Sequence, residues 1–137
     1  LHADSPDAEL AAAMNTASIG FGDMGHEVDA ARIADLRRRL DLGNAQFVAT
    51  RDGVTVSVGA YTAPQDGLTE LVGIATLPEH RGQGIAGALT AAMTRAAFAE
   101  GVHTAFLTAA DDNASRVYQR SGFWRIGTGL AYWESPV

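Results

Sequence analysis

Cysteine is absent from the 137 residues of this chain. Disulfide bonds, thiolate metal ligands and thiol nucleophiles are therefore excluded. Charged residues make up only 19% of the sequence, and no apolar run approaches the length of a membrane span. The four histidines are scattered, without the spacing of paired ligands, so we expect no metal site. Because the first residues are charged rather than apolar, we also expect no signal peptide, no membrane partner and a cytoplasmic protein.

The residues that are present suit a small globular protein. Hydrophobic residues reach 47%, and a chain of this length can form one domain, residues 1–137, around its own core. The net charge is −6 and the isoelectric point is about 5.0. Nucleic-acid binding depends on neutralising phosphates, so an acidic chain argues against a nucleic-acid partner. An acidic surface is compatible with cationic amines.

Turn, cap and periodicity signals divide the chain into helices and strands. Ser5-Pro6-Asp7 predicts an N-cap followed by proline at the first helical position, and Arg51-Asp52-Gly53 predicts a β-hairpin. The predicted helices cover residues 6–18, 28–40, a long segment that ends at 100, and a short segment around 113. The predicted strands cover residues 46–50, 54–61, 68–77 and 104–108, and a final β segment extends to 134. Trp124 and Trp133 are predicted to lie in the β core or at its edge. This order predicts an α+β fold.

A basic, glycine-rich turn follows the apolar strand 68–77 and opens the long helix. Its residues are Arg81-Gly-Gln-Gly-Ile-Ala-Gly87. Small residues let the backbone approach a ligand, and the first amides of a helix have no partner within it. Together with the helix dipole and the charge of Arg81, these amides predict a site for a phosphate or pyrophosphate.

The glycines of this turn also match the spacing of the dinucleotide-binding fingerprint, Gly82-x-Gly84-x-x-Gly87. In that fold the first glycine comes directly off the first strand, and two βαβ units follow one another. Here Pro78, Glu79, His80 and Arg81 intervene, and the motif lies past the middle of the chain. Two βαβ units do not fit in the remainder, so we disfavour a dinucleotide-binding domain.

The same turn is also the first of two motifs that follow each other in the chain in a recognisable order and at a recognisable distance. Residues 81–86 match the signature Arg/Gln-x-x-Gly-x-Gly/Ala, with alanine at the last position, and Glu70 lies eight residues before Pro78. Downstream, the segment from Asn113 through Tyr118 to Gly122-Phe123 has the form Asn…Tyr-x-x-x-Gly-Phe. These motifs resemble those of the GNAT superfamily of N-acetyltransferases, and the resemblance covers residues 8–134.

The resemblance implies an α/β/α layered fold with a mixed, mostly antiparallel sheet flanked by helices. Residues 1–7 resemble only the end of the family's first strand and the turn after it, so we expect that strand to be missing from this chain. Acetyl-CoA, or coenzyme A, is the implied co-substrate. The implied cofactor-binding residues are Ile74, Ala75 and Thr76 in the strand, Arg81, Gly82, Gln83, Gly84, Ile85, Ala86 and Gly87 in the turn, and Asn113 on the later helix.

Gly73 interrupts the apolar strand before the turn. A glycine there marks a bulge, a close backbone approach or only a packing detail. In the GNAT family a bulge parts this strand from the next one, and the pantetheine arm lies in the gap. The resemblance thus assigns the backbone of residues 74–76 to the pantetheine and to the carbonyl oxygen of the thioester.

Tyr118 and Glu70 are the candidate catalytic residues. Alone, Tyr118 would be a core-packing aromatic; the resemblance makes it the acid that protonates the coenzyme A thiolate as the thioester breaks. Glu70 is the one charge in a buried-looking strand. It is either a solvated or arginine-paired carboxylate, or the base that deprotonates the incoming ammonium. Asp111 and Asp112 are predicted to cap the last helix rather than to form an acid–base pair.

The implied activity is transfer of an acetyl group from acetyl-CoA to an amine, and it must be direct because no cysteine can form an acyl-enzyme. The acceptor is a small-molecule or peptide amine. Its pocket walls are predicted to include Phe21, Met24, Tyr61 and Tyr132. Two alternatives stay open: a non-catalytic acyl-CoA-binding module, or one half of a tandem acetyltransferase. A homodimer is compatible with the sequence.

Overall fold

The computed structural model describes residues 1–25 and 27–130. In chain order, the helices and strands within these residues are α1 (Asp7–Gly20), α2 (Ala30–Asp41), β1 (Ala45–Arg51), β2 (Val54–Tyr61), β3 (Leu68–Thr76), α3 (Ile85–Ala99), β4 (Thr104–Phe106) and α4 (Asp112–Arg120). A short 3-10 turn, Pro78–His80, and the glycine-rich turn link β3 to α3. Within the described ranges, no helix has the length and apolar character needed to cross a bilayer.

The strands form one sheet in the order β1-β2-β3-β4. The pairs β1–β2 and β2–β3 are antiparallel, and β3–β4 is parallel. The predicted hairpin is confirmed: Arg51 pairs with Val54, and Asp52 and Gly53 between them have φ of 50° and 79°. Positive φ at both central residues gives the turn whose twist matches the flanking strands. The sheet is thus mixed and mostly antiparallel, as the resemblance implies.

Helices cover both faces of the sheet. On one face, Ala13 of α1 packs against Val58 of β2 and Ala75 of β3, and α2 packs in turn on α1. The opposite face carries a buried cluster formed by Leu89, Met93 and Ala97 of α3 with Tyr61, Leu71 and Val102. Successive side chains of a strand point to opposite faces, so both faces of β2 are buried. The layers are therefore α/β/α, as predicted.

Aspartate side chains cap the N-termini of two helices. The Asp29 carboxylate accepts the Arg32 amide at 2.8 Å before α2, and the Asp111 carboxylate accepts the Ala114 amide at 2.8 Å before α4. Each bond satisfies an amide that the helix itself leaves unpaired. The prediction that Asp111 caps a helix is confirmed.

The predicted cap of the first helix at Ser5 is wrong. The Ser5 hydroxyl accepts the His2 amide at 2.9 Å, which closes a turn before the helix. Pro6 is the N-cap residue of α1, and its carbonyl accepts the amides of Glu9 and Leu10. Short polar side chains commonly bond to nearby backbone in this way instead of capping.

No strand precedes α1 within the described residues. Leu1 lies beside the outer edge of β1, where its amino group donates to the Gln46 carbonyl at 2.7 Å.

The predicted C-terminal β segment is not seen in the described residues. Residues 124–130 contain no strand, and Trp124 is 80% exposed, so its placement in the β core or at its edge is wrong. Trp133 and Tyr132 lie outside the described residues. The strand β4 is also shorter than the predicted strand 104–108, because it stops pairing with β3 at Phe106.

Candidate active site

The glycine-rich turn leaves its backbone open to solvent. Gly82 and Gly84 have φ of 70° and 77°, a region that side chains with a Cβ seldom adopt. A Cβ built on either residue would have no heavy atom within 4 Å. Glycine is therefore required here by the backbone conformation, and the space above the turn is free for a ligand.

Consecutive backbone amides of this turn are left without a partner within the described residues. The amides of residues 82–87 find no acceptor in the described part of the chain, and the N-cap, Gly84, has no side chain to offer one. The first internal bond of α3 joins the Ala88 amide to the Gly84 carbonyl. Since α3 runs for 15 residues, the positive end of its dipole coincides with these amides. The arrangement suits a phosphate or pyrophosphate.

Arg51 brings a positive charge to the turn from the β1–β2 hairpin. Its Nη1 donates to Gln83 Oε1 at 2.5 Å, and Gln83 Nε2 donates to the Glu79 carbonyl at 3.3 Å. These bonds hold the Gln83 side chain across the turn. The sequence indicated Arg51 only as part of the hairpin, because its contact with Gln83 spans 32 residues of the chain.

The Arg81 side chain binds two backbone carbonyls. Its Nε donates to the Thr76 carbonyl at 3.2 Å, and its Nη2 donates to the Gly20 carbonyl at 2.8 Å. The charge of Arg81 thus lies near the turn, while these two N–H groups are directed at β3 and α1. This second role was not predicted from the sequence.

Gly73 forms a bulge in β3, as its position in the sequence suggested. Ala60 pairs with Val72 and Val58 pairs with Ala75, so Gly73 and Ile74 together lie opposite the single residue between them on β2. Gly73 has φ of 63°, which favours glycine. The prediction of a bulge is confirmed.

The bulge reverses which residues of β3 face each helix layer. Before it, Leu71 packs in the α3 cluster; after it, Ala75 packs with α1. Thr76 faces the α3 side, where its hydroxyl lies 2.9 Å from the buried Ser57 hydroxyl. Because strand side chains alternate, Leu71 and Ala75, four residues apart, would share a face if the same residues formed a regular strand without a bulge.

A gap opens between β3 and β4. Their pairing ends at Glu70 and Phe106, whereas β3 continues to Thr76. Over residues 71–76, no strand in the described ranges pairs with this edge of β3. An extended chain such as pantetheine fits a strand edge of this kind, because the strand backbone supplies donors and acceptors at regular spacing.

Glu70 lies where the two strands part. Its side chain is half-buried, and its backbone is fixed by Thr62, whose amide donates to the Glu70 carbonyl at 3.0 Å. No ion pair between Glu70 and an arginine is present among residues 1–25 and 27–130. The arginine-paired alternative for Glu70 is therefore not seen there.

Tyr118 is half-buried on α4. Burial, and to a lesser degree the nearby Asp111 carboxylate, raises the pKa of the Tyr118 phenol above its ordinary value. The phenol therefore stays protonated at neutral pH, which is the state that a proton donor needs.

The end of α4 rests on the first turn of α3. Ser121 Oγ lies 3.4 Å from the Gly87 carbonyl. Gly122, with φ of 98°, ends α4, and the Phe123 amide donates back to the Tyr118 carbonyl at 3.1 Å. The Ser121 contact thus connects the helix that carries Tyr118 to the first turn of α3.

Asn113 lies exposed in the first turn of α4. Its Oδ1 accepts a hydrogen bond from Arg116 Nη1 at 3.0 Å. The amide oxygen is thus engaged within the helix. A cofactor contact by Asn113 stays a prediction, and the side-chain NH₂ is the group left to make it.

The predicted walls of the acceptor pocket divide into three groups. Phe21 and Met24 are 65% and 98% exposed in the loop after α1, where a ligand could meet them. Tyr61 was assigned wrongly, because it is 1% exposed and packs 5.8 Å from the Phe47 ring. Burial raises the pKa of the Tyr61 phenol to about 12, and the nearby Glu100 carboxylate contributes to this shift. Tyr132 lies outside the described residues.

A shallow depression of about 440 Å³ lies between α1 and α2, away from these groups. Its lining residues are Met14, Asp29, Ala31, Arg32, Asp35 and Arg39. Asp35 pairs with Arg38 and Arg39 on the same helix, which satisfies its charge. We therefore place the candidate site at the glycine-rich turn and the β3 edge.

Two substitutions of Asp111 distinguish the contribution of its capping hydrogen bond to stability from that of its charge. Asp111→Ala is expected to lower the free energy of unfolding by roughly 0.5–2 kcal/mol, because the Ala114 amide loses its acceptor. Asp111→Asn keeps an acceptor oxygen and should leave stability nearly unchanged. Denaturant unfolding of both variants measures the difference. Equal destabilisation by the two would show that the carboxylate charge, and not the cap, matters.

Comparison with known families gives one match that covers most of the chain. Residues 11–123 match the family described as "Acetyltransferase (GNAT) family". No curated protein sequence gives a significant match.

Solved structures share the fold at low sequence identity. An aminoglycoside acetyltransferase from an uncultured soil metagenomic sample, in complex with sisomicin, has a TM-score of 0.82 at 15% identity and covers 100% of this chain and 93% of its own. The enzyme AAC(6')-Iy, in complex with a bisubstrate analogue, has a TM-score of 0.73 at 23% identity, with 94% and 93% covered. The ribosomal-protein-alanine N-acetyltransferase from Brucella melitensis has a TM-score of 0.69 at 23% identity, with 90% and 83% covered.

Proposed function

The chain belongs to the GNAT acetyltransferase family, and from this premise we propose that it transfers the acetyl group of acetyl-CoA directly to an amine. The observation that carries the proposal is the run of unpaired amides at residues 82–87, beside Arg51 and Arg81. Such a group can bind the pyrophosphate of coenzyme A without any metal. The free edge of β3 over residues 71–76 then receives the pantetheine arm.

Three groups of the protein would carry the reaction. Glu70, directly or through water, takes a proton from the acceptor ammonium, because a protonated amine has no lone pair. The free amine attacks the thioester carbonyl, and a backbone amide of residues 74–76 stabilises the oxyanion. As the carbon–sulfur bond breaks, Tyr118 donates its proton to the thiolate, and the acylated nitrogen releases its remaining extra proton to solvent. The products are the acetylated amine and coenzyme A.

Coenzyme A is expected to raise the melting temperature of the protein, and NAD is not. A ligand that binds only the folded state at about 100 times its dissociation constant adds roughly 2.7 kcal/mol of stability. NAD carries a pyrophosphate but lacks the pantetheine arm that the β3 edge would hold. A thermal-shift titration with both compounds tests the cofactor. Stabilisation by NAD with no effect of acetyl-CoA would overturn the proposal.

A panel of amines tests the chemistry separately. Thiol release from acetyl-CoA is followed with aminoglycosides, amino sugars, free amino acids and peptides with N-terminal alanine or internal lysine. The structural neighbours named above act on acceptors of several of these classes, and the panel therefore starts from them. Tight binding of acetyl-CoA with no acceptor in the whole panel would favour the non-catalytic acyl-CoA-binding module.

A further inference from the structure

We infer that Arg81 is a positioning residue, whose guanidinium fastens the end of α1 and the loop after it to the edge of β3. The inference rests on the proposed function, because under that proposal the acetyl group lies at this edge. Arg81 then contributes to acetyl transfer through the placement of the loop, in addition to any contribution of its charge to cofactor binding.

Arg81 joins two carbonyls that secondary structure leaves without donors. Gly20 is the last residue of α1, and the last carbonyls of a helix have no internal partner. Thr76 is the last residue of β3, on the edge that no described strand covers. The guanidinium donates to both, at 2.8 Å and 3.2 Å. The rigid fork of arginine permits this two-point contact, which a single ammonium does not reproduce.

A close approach of α1 to β3 surrounds this contact. A Cβ built on Gly20 would lie 2.8 Å from the Ala75 Cβ and 3.3 Å from the Thr76 amide nitrogen. The φ of Gly20 is not positive, so glycine is required by space and not by conformation. The end of α1 is thus held against the part of β3 that borders the gap.

The loop after α1 starts at this contact, because Gly20 is the last residue of the helix. It begins with the exposed Phe21 and contains the exposed Met24. The Ser18 hydroxyl donates to the Asp23 carboxylate at 3.1 Å, which folds the loop back onto α1. A molecule that reaches β3 beside Thr76 therefore meets residues 20–22. A shift of α1 would move these residues relative to the acetyl group.

The test uses three variants and two matched controls. Arg81→Lys keeps the charge and loses the fork, Arg81→Gln loses both, and Gly20→Ala disturbs the contact without altering any charge. Arg95→Lys and Gly127→Ala are the controls, because Arg95 is exposed far along α3 and a Cβ on Gly127 would meet nothing within 4 Å. Each protein is assayed for coenzyme A affinity by calorimetry and for acetyl transfer to the best amine of the panel at saturating acetyl-CoA.

Arg81→Lys and Gly20→Ala are expected to bind coenzyme A nearly as tightly as the wild type. Their kcat/KM for the amine should fall by roughly 10–100-fold, the effect of a misplaced positioning element. Arg81→Gln should show the same loss for the amine together with weaker coenzyme A binding. Both controls should resemble the wild type. The inference would be overturned if Arg81→Lys had the wild-type kcat/KM for the amine and Arg81→Gln lost only affinity for coenzyme A. Arg81 would then act only through its charge on the bound anion.

Hydrogen exchange of residues 17–25 decides the inference even where transfer cannot be measured. Arg81→Lys and Gly20→Ala should speed exchange at the end of α1, and Arg95→Lys should not. If the wild-type protein acetylates no amine, the proposed function fails, yet this measurement still shows whether Arg81 fastens α1. Exchange that is unchanged in both variants would contradict the inference.

Discussion

Tyr118→Phe is expected to lower turnover by roughly 10²–10⁴-fold, the range of general acid–base groups, with little change in the dissociation constant of coenzyme A. The phenylalanine keeps the half-buried ring, so the packing of α4 on α3 should survive. The variant loses only the proton for the departing thiolate. Steady-state kinetics at saturating acetyl-CoA, combined with calorimetry, separate the two quantities.

Tyr61→Phe is the matched control for the loss of a phenol. Tyr61 is buried, and Glu100 lies close enough to raise the pKa of its phenol, so its variant should lose about 1 kcal/mol of unfolding free energy and keep its turnover. The opposite pattern is expected for Tyr118. If Tyr118→Phe turns over as fast as the wild type, Tyr118 returns to a core-packing role.

The leaving group and the pH dependence refine this test. The loss in Tyr118→Phe should shrink for acyl donors whose thiol is more acidic, because a better leaving group has less need of a proton. Burial and Asp111 raise the pKa of Tyr118, so deprotonation of the phenol would lower the rate only at a pH beyond the ordinary range of tyrosine. A fall in wild-type rate between pH 6 and pH 9 would therefore have to come from another group.

Gly84→Ala is expected to weaken coenzyme A binding by roughly 10–100-fold, through loss of one or two charge-assisted hydrogen bonds from the turn. With φ of 77°, Gly84 lies in the left-handed region, where alanine is strained by about 1–2 kcal/mol. Relief of that strain would turn the neighbouring amides away from the pyrophosphate. Calorimetry with coenzyme A measures the effect.

Gly101→Ala controls for the strain alone. Gly101 has φ of 93°, and a Cβ there would also meet no heavy atom within 4 Å, but it lies at the opposite end of α3. Both variants should lose similar stability in denaturant unfolding, and only Gly84→Ala should lose affinity. Equal affinities in the two variants would show that the turn does not hold the cofactor.

Features determined by neighbours in sequence could be predicted here. The hairpin at Asp52-Gly53 and the cap at Asp111 depend on residues within a few positions, so local signals were sufficient. The conformations of Gly82 and Gly84 follow from the same rule, since a basic turn that opens a helix needs backbone freedom. The bulge at Gly73 was located because glycine is unusual within a buried strand.

Features determined by distant packing could not be predicted. The partner of Arg81 at Gly20 lies 61 residues earlier in the chain, and no spacing rule connects them. Tyr61 was assigned to a pocket wall from the resemblance, and its own strand gave no signal for or against that place. Both faces of β2 are covered by helices, and alternation then carries no information about which side chains meet a ligand. Ser5 failed as a cap because a competing turn used its hydroxyl.

The bulge in β3 also bears on how such a strand can change in evolution. Because Gly73 and Ile74 together lie opposite one residue of β2, deleting Gly73 would leave Ala75 facing α1 and Thr76 facing α3, as they do now. A deletion or insertion elsewhere in β3 would instead turn every later side chain of the strand to the other helix layer. In lineages that retain this sheet, changes in the length of β3 are thus expected at Gly73, and other positions are expected to diverge by substitution.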